Sequence, residues 1–408
     1  MSKTSKFFSA AVCVWALTVL CASSAMASGF ALYEWSARGN AMGNAVMTNT
    51  TDASIIAYNP AAMTNIEGHS IVAGTSVLLP GITVERAGVE QDLKSQVFWD
   101  PHAYYAGKIT DKVWVGIGEF TRFGTGNKYP EQWGGSVAPN FGLYNGEMRS
   151  FSITPVIAFK ATEDLSVSFG GEILHGEVDY WTGLGKTYAS DTTVGFNTSL
   201  LYKITEDVKF GMMYRSSMDL TGQGDFNPSS TGFAMGMKDG DMTMRATLPA
   251  STSFSLGWEA TDDLRFEADA VYTEWSDFSQ FLFQYDPSIG APVAGDKYSY
   301  KDFADVWRLS IGAEYDLNDQ WAVRGGYIFD ESPINDMSFD YMIPGNDRHI
   351  LSTGLGYKIG SWTIDTSYQA VFMKDRDDIK VKEAAGTVNV NTTNGLTHVF
   401  GLTVGYSF

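Results

Sequence analysis

Five histidines are the residues best suited to acid–base work or to activating a nucleophile: His69, His102, His175, His349 and His398. A hydrolase needs one of them beside a serine or an aspartate, and none falls in a motif with a serine nucleophile. Thiol chemistry has less to draw on. The two cysteines, Cys13 and Cys21, both lie in the first apolar run. The sequence has no cluster with metal-ligand spacing, no glycine-rich phosphate loop and no basic stripe. Asp375-Arg376-Asp377-Asp378 reads as a solvated loop face rather than a cation site. The expectation is a protein that is not an enzyme and uses no metal or cofactor. What remains is noncovalent: abundant rings, methionines and glycines that build and shape apolar surface.

Those residues are carried by strands. In residues 396–408 one face reads Leu396, His398, Phe400, Leu402, Val404, Tyr406, Phe408, and the other Thr397, Val399, Gly401, Thr403, Gly405, Ser407. Period-two alternation of this kind is a β-strand with one apolar face. As a free edge it would invite aggregation. Ending on Phe408, it resembles the closing strand of a bacterial outer-membrane barrel. At the other end, Lys3 and Lys6 precede an apolar run over residues 7–21, and Ala25-Met26-Ala27 offers a cleavage site. This reads as a secretory signal peptide over residues 1–27, with Ser28 as the first mature residue. Removing it takes the formal charge from −19 to −21, because Lys3 and Lys6 are lost. So acidic a chain is a poor nucleic-acid binder. Mean hydropathy is −0.11. That value does not argue against a barrel, whose lipid-facing and lumen-facing residues alternate and average out.

Residues 28–68 lack alternation. They are rich in small residues yet carry Phe30, Leu32, Tyr33, Trp35, Ile55, Ile56 and Met63, too apolar for a disordered linker. They read as a plug, with a short helix near residues 53–58 that stops because Asn59 precedes Pro60. From His69 onward alternation persists. Short polar turns recur at Thr110-Asp111-Lys112, Thr162-Glu163-Asp164, Thr205-Glu206-Asp207, Thr261-Asp262-Asp263, Asn318-Asp319 and Gly360-Ser361. The pattern predicts fourteen strands, near 69–83, 98–109, 113–123, 147–160, 165–179, 187–203, 208–220, 242–260, 264–277, 301–316, 320–330, 347–359, 361–375 and 394–408. The expected fold is all-β: a fourteen-stranded antiparallel transmembrane barrel over residues 69–408, with residues 28–68 as a hatch in its lumen. The short turns and both termini fall at one, periplasmic, end. The long loops, near 122–146, 217–241, 277–300 and 331–346, fall at the other. Charges expected to face the lumen include Glu172, Arg215, Arg265, Glu267, Asp269, Arg308, Glu314, Arg324 and Asp330.

Pro155 is out of place, because a fully paired strand should not hold proline. Its neighbouring strand contains Gly116 and Gly118. Either that strand bends inward and leaves Pro155 without a partner, or Pro155 marks a local bulge.

Several stretches are similar to the FadL family of outer-membrane transporters of long-chain fatty acids and hydrocarbons. They are Ser28-Gly29-Phe30, Tyr58-Asn59-Pro60-Ala61, Arg122-Phe123-Gly124 with Tyr129-Pro130-Glu131-Gln132-Trp133-Gly134-Gly135, residues 324–334, and residues 343–349. The resemblance implies a monomeric barrel in the outer membrane of a Gram-negative bacterium. It implies a hatch holding Asn59, Pro60 and Ala61, an apolar capture groove at the long third-strand loop, and an inner pocket near the first mature residues. It also implies a kink in the third strand that opens the wall, which would place a lateral opening at Gly116, Gly118 and Pro155. Gly29 and Phe30 are the trigger this suggests. Trp133, Phe141, Leu143 and Tyr144 are the capture surface, joined by Phe233, Met235, Met237, Met242 and Met244. Expected partners are a hydrophobic small molecule, outer-membrane lipid and lipopolysaccharide, and the barrel assembly machinery acting on the strand that ends at Phe408. No nucleic acid is expected. The alternatives are a general porin-like channel and an outer-membrane lipid hydrolase, and the loops could also serve as an adhesin or phage receptor.

Overall fold

The structure is a computed structural model in which residues 29–131, 133, 143–337, 339–383 and 386–408 are described. Residues 1–28 lie outside that set, and with them the expected signal peptide. Fourteen strands form the wall: β1 His69–Arg86, β2 Phe98–Thr110, β3 Val113–Phe120, β4 Leu143–Lys160, β5 Leu165–Thr182, β6 Gly185–Lys203, β7 Val208–Arg215, β8 Ser251–Thr261, β9 Leu264–Thr273, β10 Val306–Asp316, β11 Trp321–Asp330, β12 Arg348–Ile359, β13 Trp362–Met373 and β14 Gly386–Ser407. Each pairs antiparallel with the next. β14 closes on β1, in register from Ser70 opposite Ser407 to Gly81 opposite Leu396. Closure removes the edge that the last strand would otherwise expose. Phe400, Leu402 and Val404 point outward with Ile71, Phe169, Val194, Leu256, Leu309 and Ile311, an apolar belt around the ring. Thr397, Val399 and Thr403 are buried on the inner side.

Two predicted strands are each broken in two. The stretch expected over 208–220 leaves the wall after Arg215, and the one expected over 242–260 enters it only at Ser251. Arg215 stands opposite Ser251, so both depart at one level. Beyond it, Met218–Pro228 and Gly240–Leu248 pair with each other and extend the upper end of β6. Gln280–Tyr285 and Gly295–Tyr300 continue that sheet. The regions expected to be loops near 217–241 and 277–300 are therefore largely a second sheet standing above the wall. Alternation is the same in both places, so periodicity does not reveal where a strand leaves the ring.

Residues 29–68 run inside the ring. Helix α1 (Ala37–Ala41) is capped by Ser36, whose hydroxyl accepts from the Gly39 amide at 2.9 Å. Helix α2 (Ile55–Tyr58) stops at extended Asn59, and the Asn59 side chain then accepts from the Ala61 amide at 3.2 Å at the head of a 3₁₀ turn, Pro60–Asn65. The segment is tied to the wall on many sides: the Ala37 amide to Thr403, Asn40 to Ser76, the Ala53 amide to Ser70, the Thr48 amide to Glu267, and the Ala61 amide to Ser199, all at 2.8–3.0 Å. Asn59 also donates to the Met47 and Leu200 carbonyls. Trp35, Ile55, Ile56 and Met63 pack on Tyr104, Trp114, Phe120 and Val156 of the wall.

Candidate functional site

The wall is broken beside β3. Its ladder with β2 ends at Ala103 opposite Glu119, and its ladder with β4 ends at Phe120 opposite Ser152. Residues 121–124 then turn inward and bond to the inner segment. The Leu32 amide donates to the Arg122 carbonyl and the Gly124 amide to the Phe30 carbonyl, both at 2.8 Å, while Trp35 donates to the Thr121 carbonyl at 2.6 Å. Thr125–Lys128 rejoins β4, with Thr125 opposite Met148. Residues 98–102 of β2 and 149–151 of β4 thus face each other with no strand hydrogen-bonded between them.

A buried charge holds the bend. Arg122 donates to Glu172 at 3.0 Å, Arg215 reaches the same carboxylate oxygen at 3.1 Å, and Ser152 satisfies the other oxygen. The Arg122 guanidinium also lies over the Phe123 ring, 4.9 Å from its centroid.

In the gap lies a cavity of about 360 Å³, lined by Phe30, Leu32, Leu78, Phe98, Trp99, Phe151 and Val399, with Glu34, Asp100, Glu119, Thr121, Arg149 and Arg348 among its polar walls. Outward-facing Trp99 and Phe151 line it together with inward-facing Asp100 and Val399, so the space passes through the wall. Phe30 stoppers its inner side and is 2% exposed. The ring sits in an aromatic cage: Trp275 at 4.9 Å, Phe278 at 5.0 Å and Phe123 at 5.7 Å between centroids. Gly29 is required beside it, because its φ is +59° and a Cβ there would stand 2.6 Å from Trp275.

The gap in the wall does not fall at Gly116, Gly118 and Pro155, where a lateral opening was expected. Gly116 pairs with Val156, Ile117 with Pro155 and Gly118 with Thr154 in an intact ladder. These glycines make room for the inner segment instead. A Cβ on Gly116 would stand 2.6 Å from Ile56 and 2.8 Å from Met63. Pro155 does interrupt pairing, but toward β5. There Ile153 meets Ile173 and Val156 meets Gly170, with no pair between. A proline amide has no hydrogen to donate on that side.

The capture residues are also placed differently. Trp133 is buried, stacked 4.2 Å from Tyr129 and edge-on to Tyr341 at 4.8 Å, and it donates to the Leu143 carbonyl. Leu143 is buried as well, so neither offers an open surface. Tyr144 is half-buried against Trp181. Phe141 lies outside the described residues. The second cluster divides: Met237, Met242 and Met244 are core, whereas Phe233 and Met235 are exposed. Above the wall the loops interlock. Tyr129 donates to the Tyr341 carbonyl, and buried Lys301 pairs with Asp340, burial lowering its amine.

Sequence reasoning missed Thr121, Arg122, Trp275, Phe278 and Glu172 as one assembly. The usable signal was Arg122-Phe123-Gly124, together with the expectation that Glu172 and Arg215 face the lumen. At the short-turn end a separate polar cavity of about 1030 Å³ is lined by Lys209, Asp262, Asp263, Asn318, Arg324 and Asp365, among others. The inner segment lies between it and the wall gap.

A closed fourteen-stranded β-barrel with an apolar outer belt, residues 29–68 inside its lumen and a wall broken by an apolar cavity, is the build of a membrane-spanning barrel. Residues 18–408 match the family described as "Outer membrane protein transport protein (OMPP1/FadL/TodX)", and the chain belongs to that family. It is 23% identical over 470 residues to the long-chain fatty acid transport protein of Escherichia coli strain K12, covering all of both chains. Among solved structures, a Pseudomonas aeruginosa FadL homologue superposes with a TM-score of 0.84 at 18% identity, over 93% of this chain and 100% of that one. The P. putida toluene transporter TodX superposes at 0.73 and 16% identity, over 92% and 98%.

Proposed function

We propose that this chain carries apolar molecules, long-chain fatty acids or related hydrocarbons, across the outer membrane and does no covalent chemistry on them. The observation that carries the reading is the wall cavity stoppered by Phe30. The names of the relatives, one a fatty acid transporter and one a toluene transporter, support it. In this reading residues 1–27 are a removed leader, residues 28–68 a hatch and residues 69–408 the barrel. The short turns and termini are periplasmic, and the sheet above the wall is extracellular.

The barrier to such a solute is the sugar layer of lipopolysaccharide, since hydrocarbon itself is permeable to it. Capture would begin at exposed Phe233 and Met235 and half-buried Tyr144, where methionine adapts to varied shapes. Each buried methylene gains about 0.8 kcal/mol, so a long chain gains on the order of 10 kcal/mol before costs, and release requires the site to weaken. Withdrawal of Phe30 from its aromatic cage removes one cavity wall. The solute then leaves sideways between β2 and β4 into the bilayer, downhill. The barrel assembly machinery would read the strand ending at Phe408.

Cells carrying Phe30→Ala, or lacking Gly29 and Phe30, should keep normal amounts of folded barrel in the outer membrane yet take up labelled oleate and toluene more slowly. Unchanged uptake of both would remove the hatch from the mechanism. A steady single-channel current through the wild-type protein in a planar bilayer would favour the porin reading.

A further inference from the structure

In the connection from β11 to β12, Tyr341 to Gly345 are buried without a break. Loops usually run over the surface, because their backbone groups need partners. Here the partners are side chains. The Met342 and Ile343 amides donate to the Asp340 carboxylate at 2.7 and 3.0 Å. The Met342 carbonyl accepts from Asn127 at 2.5 Å, the Tyr341 carbonyl from Tyr129 at 3.1 Å, and the Gly345 carbonyl from Arg376 at 3.0 Å. Lys301 pairs with Asp340. None of these bonds belongs to a strand ladder, so the segment can leave without breaking the sheet, with water taking over its polar groups.

The segment covers an apolar face. Tyr341 packs edge-on against Trp133 and Tyr129, which stack on each other at 4.2 Å. Met342 is pressed against Gly146, where an added Cβ would stand 3.0 Å from the Met342 Cβ. Tyr341 and Met342 belong to one buried cluster with Leu143, Met148 and Phe30. The wall cavity begins just below. Gly126 and Met148, one residue from Asn127 and two from Gly146, line it, and so does Arg348, where the segment enters β12. One polar group is left over in this closed arrangement. The Asn127 side-chain oxygen is buried with no hydrogen-bond partner among the described residues, which opposes closure.

We propose that residues 339–346 are a lid over a hidden entry site. Closed, they bury the face made by Tyr129, Trp133 and Leu143. Open, they give that face to an apolar substrate and uncover the outer end of the wall cavity. The proposal rests on the reading of the gap as the substrate's passage and adds the step by which the substrate reaches it. Two stacked rings and a leucine left bare would meet water, so without substrate the chain covers them with its own Tyr341 and Met342. A substrate on the same face gains the same burial. Lid and substrate therefore compete, and substrate shifts the population toward the open form. This accounts for the burial of Trp133 and Leu143, residues whose types and loop position suit capture.

The test locks the lid. Cys13 and Cys21 fall within the leader, so introduced cysteines report alone. Gly146→Cys with Met342→Cys removes the Met342 atoms that crowd Gly146 and leaves two Cβ atoms 3.0 Å apart. That is within about 1 Å of the usual disulfide separation. In cells, the oxidised pair should cut uptake of labelled toluene and oleate at least about tenfold, and a reductant should restore it, because a protein held closed has no competent state. Met342→Cys alone should respond to neither treatment. A second measurement needs no cross-link. In purified, folded protein in a nonionic detergent, a maleimide should label Met342→Cys slowly. Saturating toluene, or Lys301→Met to remove the Asp340 tether, should each speed labelling at least about fivefold. A disulfide confirmed by mass with unchanged uptake overturns the lid. So does labelling that neither toluene nor Lys301→Met accelerates, and this arm decides alone if the pair does not oxidise. If the lid fails while Phe30→Ala still slows uptake, the transport reading stands. If the wild-type protein takes up neither probe, both fail.

Discussion

Strands β3 and β10 stand seven places apart in a ring of fourteen, on opposite sides, and the same kind of interaction has opposite consequences in them. β10 is paired without interruption on both flanks, from Leu264 opposite Tyr315 to Thr273 opposite Val306, and from Arg308 opposite Asp330 to Asp316 opposite Ala322. Its inward Glu314 bonds Arg265 on β9 and Arg324 on β11, its immediate neighbours. The cationic residue that continues β3, Arg122, finds its carboxylate on β5 instead, with β4 in between. Strands lie about 4.8 Å apart, so a partner two strands away is about 10 Å off along the wall. The bond is most easily made by a backbone that has already moved into the lumen. Skipping a strand does not by itself open the wall, since Arg324 on β11 reaches Asp365 on β13 across β12 through intact ladders; what sets Arg122 apart is that its own backbone has left the ring.

The largest test of that contrast is Glu172→Gln set against Glu314→Gln. The first leaves Arg122 and Arg215 buried against a neutral amide, which should cost about 3–5 kcal/mol. The second should cost less, because Arg265 keeps Asp316 and Arg324 keeps Asp365, so that only Arg38 of the inner segment, 2.9 Å from Glu314, loses its carboxylate. Urea unfolding of the refolded barrel, followed by tryptophan fluorescence, measures both. Only Glu172→Gln should also change hydrocarbon uptake, and equal uptake defects would erase the distinction between the two arcs.

A smaller effect separates two wall glycines. Gly116→Ala pushes into Ile56 and Met63, an overpacking that should cost about 1–3 kcal/mol. Gly325→Ala on β11 meets nothing nearer than the Ser352 carbonyl at 3.8 Å and should leave the urea midpoint near that of the wild type. A further destabilisation, at the low end of this range, is Ser36→Ala, which removes the cap of α1 for about 1 kcal/mol. A midpoint unmoved by Ser36→Ala would mean that wall contacts alone fix α1.

The site was partly legible in the chain. Gly29, Phe30, Asn59, Pro60 and Ala61 were singled out and do lie in the inner segment, because a run that is apolar but does not alternate has to be buried and cannot be wall. Gly116 and Gly118 were expected at a lateral opening and stand instead in an intact ladder, close against Ile56, Met63 and Tyr104. A glycine announces close approach, and nothing local says whether a gap or a packed neighbour is approaching. Trp133 and Leu143 read as capture residues, because an apolar side chain in a loop looks the same exposed or buried.

By itself the sequence determined the number of strands, the side each residue faces, the short turns and the stop at Asn59-Pro60, all of which depend on neighbours one to four residues apart. It did not determine which strands leave the ring. Residues 121–124 follow directly on a run that reads as wall, yet their backbone bonds pass from β2 and β4 to residues 30–35, and a side-chain pattern does not name a hydrogen-bond partner. That choice was made by Glu172 and Phe30, respectively about fifty residues after and about ninety before the bend, which meet it only once the ring has closed around the inner segment.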